Sequence, residues 1–260
     1  MDRWLPRLAL AAGFLLLVSL CARQAGSLDA GFHLKAGEWI LAGNGWPRTD
    51  PFTYTITDHE WIDTSWGYQV IGALAQRAAG PAGLVLLHVA VISAVFMVIA
   101  RTALSTKSGA LILALVLPLG VIASEMRFEI RPEVFSWLLL AAVLHVLHRH
   151  AEGRRAALWL LPALHLIWVN IHSLFILGWA AIACFVAGEW LRQRRFPGRL
   201  AAAGLASMLV TLVNPYGWRG AAFPFILASR LSERNLFGQS IGEFVSPFDL
   251  GLSAAFPFYP

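Results

Sequence analysis

Two stretches of this chain concentrate side chains able to do chemistry. In SLDAGFHLKAGEWI (27–40) Asp29 and His33 stand four positions apart, and in EMRFEIRPE (125–133) Glu125, Arg127, Glu129, Arg131 and Glu133 fall within nine positions. If the first stretch is helical, that spacing sets Asp29, His33 and Gly37 in one row on a helix face, with Phe32, Trp39 and Ile40 as apolar or aromatic surface. Residues 23–65 also carry Glu38, Asp50, Asp58, Glu60 and Asp63 against Arg23, Lys35 and Arg48. Carboxylates from this segment and guanidinium groups from the other, brought together, suit an anionic or hydroxylated substrate. The plainer readings are a solvated turn for EMRFEIRPE and, for Asp29, an N-cap whose carboxylate accepts the first free backbone N–H groups of the helix. NIHS (170–173) adds Asn170 and His172, as site residues or as the cap of an apolar helix.

The elements that must position these groups are membrane helices. Of the 260 residues 58% are hydrophobic and 13% charged, and the mean hydropathy is +0.64. A water-soluble domain covers its core with polar helix faces, and long unbroken apolar runs such as these leave no room for them. The expected fold is an all-α polytopic membrane protein with about seven transmembrane helices, near 5–22, 82–103, 109–124, 133–149, 156–170, 174–191 and 199–213. The fifth contains Pro162 and His165 and is short enough to be re-entrant. Arg3 and Arg7 before the first run resemble the start of a signal peptide, but no small-residue cleavage site follows before Arg23, so a retained anchor is expected.

Basic residues recur in alternate connections: Arg3 and Arg7; Arg101 and Lys107; Arg149, Arg154 and Arg155; Arg192, Arg194, Arg195 and Arg199. The positive-inside rule puts these in the cytoplasm, N-terminus included. The long loop 23–81, EMRFEIRPE, NIHS and NPYGWRG (214–220) then share the opposite face. Within the loop, Asp29 to Ile40 fits a short surface helix. GNGWPRTDPFTYT follows as turn and extended chain, with Thr53, Tyr54 and Thr55 favouring strand. Trp61, Trp66 and Tyr68 read first as an interfacial aromatic belt.

Several classes are set aside. His145, His148 and His150 could ligate a metal from a helix face, but beside Arg149 at a span's end they fit ordinary helix termination better. His165 fits a hydrogen bond to a neighbouring helix. Cys21 and Cys184 fall in spans near opposite membrane faces, so no disulfide is expected. The net charge of +5 is accounted for by loops against anionic lipid, so no nucleic-acid partner is expected. There is no phosphate-binding Walker loop, dinucleotide fingerprint or Gly-x-Ser-x-Gly, and the sequence names no cofactor, leaving a divalent metal requirement open.

LDAGFHLKAGEWILAGNGWPRTDPFTYT, EWIDTSWGYQ, RPEVFSWLL, IWVNIHSLFILG and LVNPYG together resemble the N-terminal part of bacterial polytopic membrane proteins related to the GT-C glycosyltransferases, a group that includes protein mannosyltransferases and aminoarabinose transferases. The resemblance runs from about 27 to 248, with Ser173 where relatives often have glycine and Phe244 where tryptophan is expected. It implies a GT-C-like transmembrane domain over 1–220, with external loop 23–81, and an external segment 221–260 that is truncated relative to longer members. It implies transfer of a sugar from a polyprenyl-phosphate donor, its tail among membrane lipid, to an unspecified acceptor on the non-cytoplasmic face of the bacterial inner membrane. By that resemblance Asp29 is the general base and Arg127 or Arg131 meets the departing phosphate, with His33, Glu129, Asn170 and His172 beside them. The competing classes are a non-catalytic membrane or assembly protein and a transporter, the latter disfavoured by spans nearly free of charge.

Overall fold

A computed structural model describes residues 4–23, 27, 29–53, 55, 59–105, 109–154 and 157–230. Arg3, Tyr54, Asp58, Lys107, Arg155 and everything from 231 onward, Phe244 included, lie outside the described residues. The chain divides into two units, Met1–Ala221 and Ala222–Pro260. The second is described only over 222–230, where it is helical.

The described structure is all-α apart from a single antiparallel bridge, Thr49 to Glu60. The helices are α1 (Trp4–Arg23), α2 (Ala30–Trp39, running on into a π turn, Ile40–Asn44), α3 (Trp66–Ala103), α4 (Gly109–Ser124), α5 (Glu133–Ala151), α6 (Leu160–Val169), α7 (Ile176–Gln193), α8 (Gly198–Leu209) and α9 (Trp218–Arg230). Each of the seven apolar runs is thus helical, but only three helices among the described residues are long and apolar enough to cross a membrane: Trp66–Ala103, Glu133–Ala151 and Ser173–Gln193. Leu10–Ala22, Leu160–Val169 and Gly198–Leu212 are shorter apolar helices. At 1.5 Å per residue the 10 residues of α6 reach about 15 Å, half of a bilayer's hydrocarbon core.

The largest departure from the sequence reading is where α3 begins. Residues 66–78 fall within the expected external loop 23–81, yet they form the first part of α3, where Gln69, Gln76 and Arg77 interrupt the hydropathy. The helix breaks at Ala79 and Gly80, where Gly80 takes φ +60, and Pro81 opens the second part. Proline is tolerated there because the first turn of a helix has no intrahelical acceptor for the missing N–H.

Packing follows helical periodicity. On α4, Leu113, Leu117 and Val121 are buried at intervals of four against Leu17 and Cys21 of α1, while Leu115, Val116, Leu119 and Ile122 are exposed. An exposed face of leucine, isoleucine and valine fits lipid and not water. Helix α5 joins two apolar clusters: Val134 packs with α1, α3 and α4, whereas Leu139, Val143 and Leu147 pack with α6, α7 and α8. Pro132 and Glu133 begin α5, proline with its φ already set and the carboxylate beside the positive end of the helix dipole.

Candidate functional site

Helix α2 carries Asp29 and His33, and Gly37 explains how it is held. A Cβ at Gly37 would lie 2.1 Å from the backbone oxygen of Gln69 on α3, so only glycine allows the two helices this close. The row Asp29, His33, Gly37 therefore faces α3 and the start of α5 instead of lying free on the membrane surface.

Asp29 occupies the N-cap position of α2, but its side chain makes no capping hydrogen bond. The carboxylate, about half exposed at 54%, turns to Arg131, with Oδ2 3.5 Å from Nε. The same Nε lies 2.7 Å from Oε2 of Glu129. The segment that follows α1 and EMRFEIRPE therefore meet at Asp29, Glu129 and Arg131.

Behind this group the side chains are buried and bonded. Burial pushes the His33 imidazole down to about 4, with the Arg131 charge adding and the Asp29 charge opposing, so the ring is neutral near pH 7. Gln69 Nε2 donates to Asp63 Oδ1 at 3.0 Å and stands 3.4 Å from His33 Nδ1. With one amide proton for each, Nδ1 of His33 accepts and its proton sits on Nε2. Asp63 is only 3% exposed and also accepts from the Ser65 N–H at 3.1 Å. Burial pushes its carboxyl up to about 6, against those two hydrogen bonds. His172 is likewise pushed down to about 4, by burial first and then by the charge of His33. Its Nδ1 lies 3.0 Å from Ser136 Oγ, which accepts from Trp168 Nε1 at 2.8 Å.

Asn170 has a structural task. Its Oδ1 accepts from Trp66 Nε1 at 3.0 Å, its Nδ2 donates to the Leu166 and Val213 carbonyls at 2.9 and 3.0 Å, and its own carbonyl accepts the Gly67 N–H at 2.9 Å. Arg127 stands apart from Asp29, at the rim of a largely apolar cavity of about 550 Å³ between α3, α4 and α5. The hollow beside His33, Tyr68, Gln69 and Ile130 holds only about 10 Å³, roughly what one water needs.

Among the described residues, the remaining acidic residues of the first loop have partners of their own, and Asp58 lies outside them. Glu38 pairs with Lys35 at 2.9 Å, Glu60 with Arg219, and Asp50 accepts from the N–H groups of Phe52 and Thr53 at 2.8 and 3.2 Å. That aspartate-centred turn replaces the strand expected around Thr53, because a local side-chain acceptor outcompetes β propensity. The aromatic residues turn inward: Trp61 stacks on Phe32 with centroids 5.1 Å apart, Trp66 reaches Asn170, and the buried Tyr68 bonds His88 Nε2 at 3.2 Å. Phe52, which packs edge-on against both Phe32 and Trp61, carried no signal in the sequence beyond its aromatic type.

Among the described residues no three His, Cys, Asp or Glu side chains stand together as a metal site. The histidines of HVLHRH go to separate partners: His145 to Thr102 at 2.7 Å, His148 to Glu152 at 3.4 Å and His150 to Glu189 at 3.0 Å. Set against family models, curated proteins and solved structures, the chain matches none.

Proposed function

We propose that this chain serves transfer of a sugar from a polyprenyl-phosphate donor to an acceptor hydroxyl on the non-cytoplasmic side of a bacterial inner membrane, in a GT-C-like arrangement. About seven segments would cross or enter the bilayer, with the N-terminus inside. The observation that carries the reading is the half-exposed Asp29 carboxylate, uncommitted as a cap and 3.5 Å from Arg131. A carboxylate and a guanidinium side by side suit a reaction that removes a proton and releases a phosphate. Asp29 would take the hydroxyl proton as the oxygen attacks the anomeric carbon. The bond from that carbon to the phosphate oxygen breaks, and the lipid phosphate leaves with the electron pair toward Arg131, whose planar fork matches it. Arg127 lines the 550 Å³ apolar cavity, which would take the carrier's hydrocarbon with its phosphate end toward the arginines. His33 and His172, both neutral, would act as hydrogen-bonding groups and not as cations.

A second reading, a non-catalytic membrane or assembly protein, is favoured by the 10 Å³ hollow beside His33, which offers no room for a sugar without movement of α2. The test is transfer of radiolabelled sugar from a panel of polyprenyl-phosphate donors in membranes containing the wild type or Asp29→Asn. Transfer by the wild type, reduced about 100-fold or more in the variant, is expected for a general base. Equal transfer by both would remove Asp29 from the chemistry, and silence of the wild type across the panel favours the second reading.

A further inference from the structure

The end of the bundle away from Asp29 holds a cavity that the transfer reaction does not use. Arg131 precedes α5 and Arg149 lies in its last turn, so the two ends are separated by about 27 Å of helix. The cavity, about 610 Å³, opens between α1, the last turn of α3 and the end of α5. Phe14, Met97 and Leu104 give it an apolar floor, and Arg101, Arg149 and Arg154 a cationic rim. Among the described residues no carboxylate lines it.

The rim is built by specific contacts. Arg154 Nη2 donates to the Ser105 carbonyl at 3.2 Å and its Nε meets Glu152 at 3.1 Å, which ties the turn after α5 to the end of α3. Thr102 gives its hydroxyl proton to the Val98 carbonyl at 2.8 Å, so His145 must donate through Nδ1 to Thr102 Oγ1 at 2.7 Å. That fixes the His145 ring, which also lines the cavity.

Three guanidinium groups over an apolar floor at a helix-end boundary are complementary to an amphiphilic anion. Basic pockets between membrane helices bind lipid phosphate in this way. We propose that this cavity is a binding site for one anionic phospholipid of the leaflet at that end, its phosphate among Arg101, Arg149 and Arg154 and an acyl chain along Phe14, Met97 and Leu104. The volume is within the range of small-ligand pockets and suits a headgroup with the upper part of a chain. The site does not depend on the transferase reading.

The test is native mass spectrometry of the full chain in detergent, titrated with phosphatidylglycerol or phosphatidylcholine. Phosphatidylglycerol is expected to bind at least ten-fold more tightly. Joint substitution Arg101→Gln with Arg149→Gln should weaken it by roughly 25-fold, about five-fold for each arginine near a lipid surface. Joint Arg192→Gln and Arg195→Gln, which removes the same charge from another basic connection, should change it less than two-fold. Equal binding of the two lipids, or equal loss in both double variants, would overturn the site. Inorganic phosphate at millimolar concentration should not displace the lipid; displacement would assign the arginines to a free anion instead. Salt gives a readout on the wild type that needs no variant to fold: raising NaCl from 50 to 500 mM should erode the phosphatidylglycerol preference, and a salt-independent preference contradicts it.

Discussion

The two ends of the helical bundle use polar residues in opposite ways. At the Asp29 end, polar side chains are held in a bonded frame: Asp29 and Glu129 bracket Arg131, Asp63 is buried against Gln69, and Asn170 joins Trp66 to the carbonyls of Leu166 and Val213. At the other end Arg101, Arg149 and Arg154 surround an open cavity with no lining carboxylate among the described residues. Arginine thus stands singly between two carboxylates in one place and is gathered with other arginines around a cavity in the other, where Arg154 pairs with Glu152. A hydrogen-bonded frame suits positioning of reactants, and a cationic rim over apolar side chains suits capture of a lipid anion.

The comparison is broken most directly by loosening the frame. Gly37→Val sets branched carbon where the Gln69 carbonyl lies 2.1 Å from a Cβ, so α2 must move off α3. A loss of about 3 kcal/mol or more is expected in denaturant titration, together with loss of any Asp29-dependent activity. Stability unchanged within 0.5 kcal/mol, on the scale of a typical surface substitution, would mean that α2 is not seated as described.

The pH dependence of the same end comes next. The Asp63 carboxyl sits at about 6 in the fold against 3.8 ordinarily, so the folded state binds its proton more tightly than the unfolded chain. The stability this contributes is full below pH 3.8 and is lost as pH rises through 6, about 3 kcal/mol in all. Asp63→Asn keeps the acceptor toward Ser65 and Gln69 but cannot ionise. Relative to wild type it should therefore gain up to about 3 kcal/mol between pH 4 and pH 8, read by melting at each pH. A difference that stays constant with pH would contradict the burial of Asp63. His33 and His172 act with the opposite sign: their folded values of about 4 contribute stability above pH 6.5 that is lost as pH falls through 4.

The smallest effects sharpen the contrast between the ends. Asn170→Ala leaves the Trp66 N–H without its acceptor and should cost about 2 kcal/mol. Arg101→Gln at the opposite end, where the arginine is exposed, should change stability by less than about 0.5 kcal/mol. Comparable losses in the two variants would erase the distinction between frame and rim.

The sequence made the helices legible because apolar runs bounded by arginine, glycine and proline carry their own limits: 109–124 and the start at 133 coincide with α4 and α5. The polar opening of α3 was hidden, since hydropathy cannot distinguish a helix with Gln69, Gln76 and Arg77 from a loop. At the site, the four-residue spacing placed Asp29, His33 and Gly37 in one row, and the charge density of EMRFEIRPE marked a partner for it. Which arginine meets Asp29 was not readable, because Arg127 and Arg131 stand four residues apart in one charged turn and only the fold sends one to the carboxylate and the other to the cavity. The burial of Asp63 was equally hidden, since its neighbours Gln69 and Ser65 become its partners only when α3 starts at Trp66.

The most direct test of the Asp29 and Arg131 pair as the reacting centre is a double-mutant cycle on sugar transfer from polyprenyl-phosphate donors, with Asp29→Asn, Arg131→Gln and both together. Each single variant should lose about 100-fold or more, and the double variant should lose far less than the product of the two, because the groups act in one step. Losses that simply multiply, or a wild-type rate retained by Asp29→Asn, would contradict a shared reacting centre at this pair.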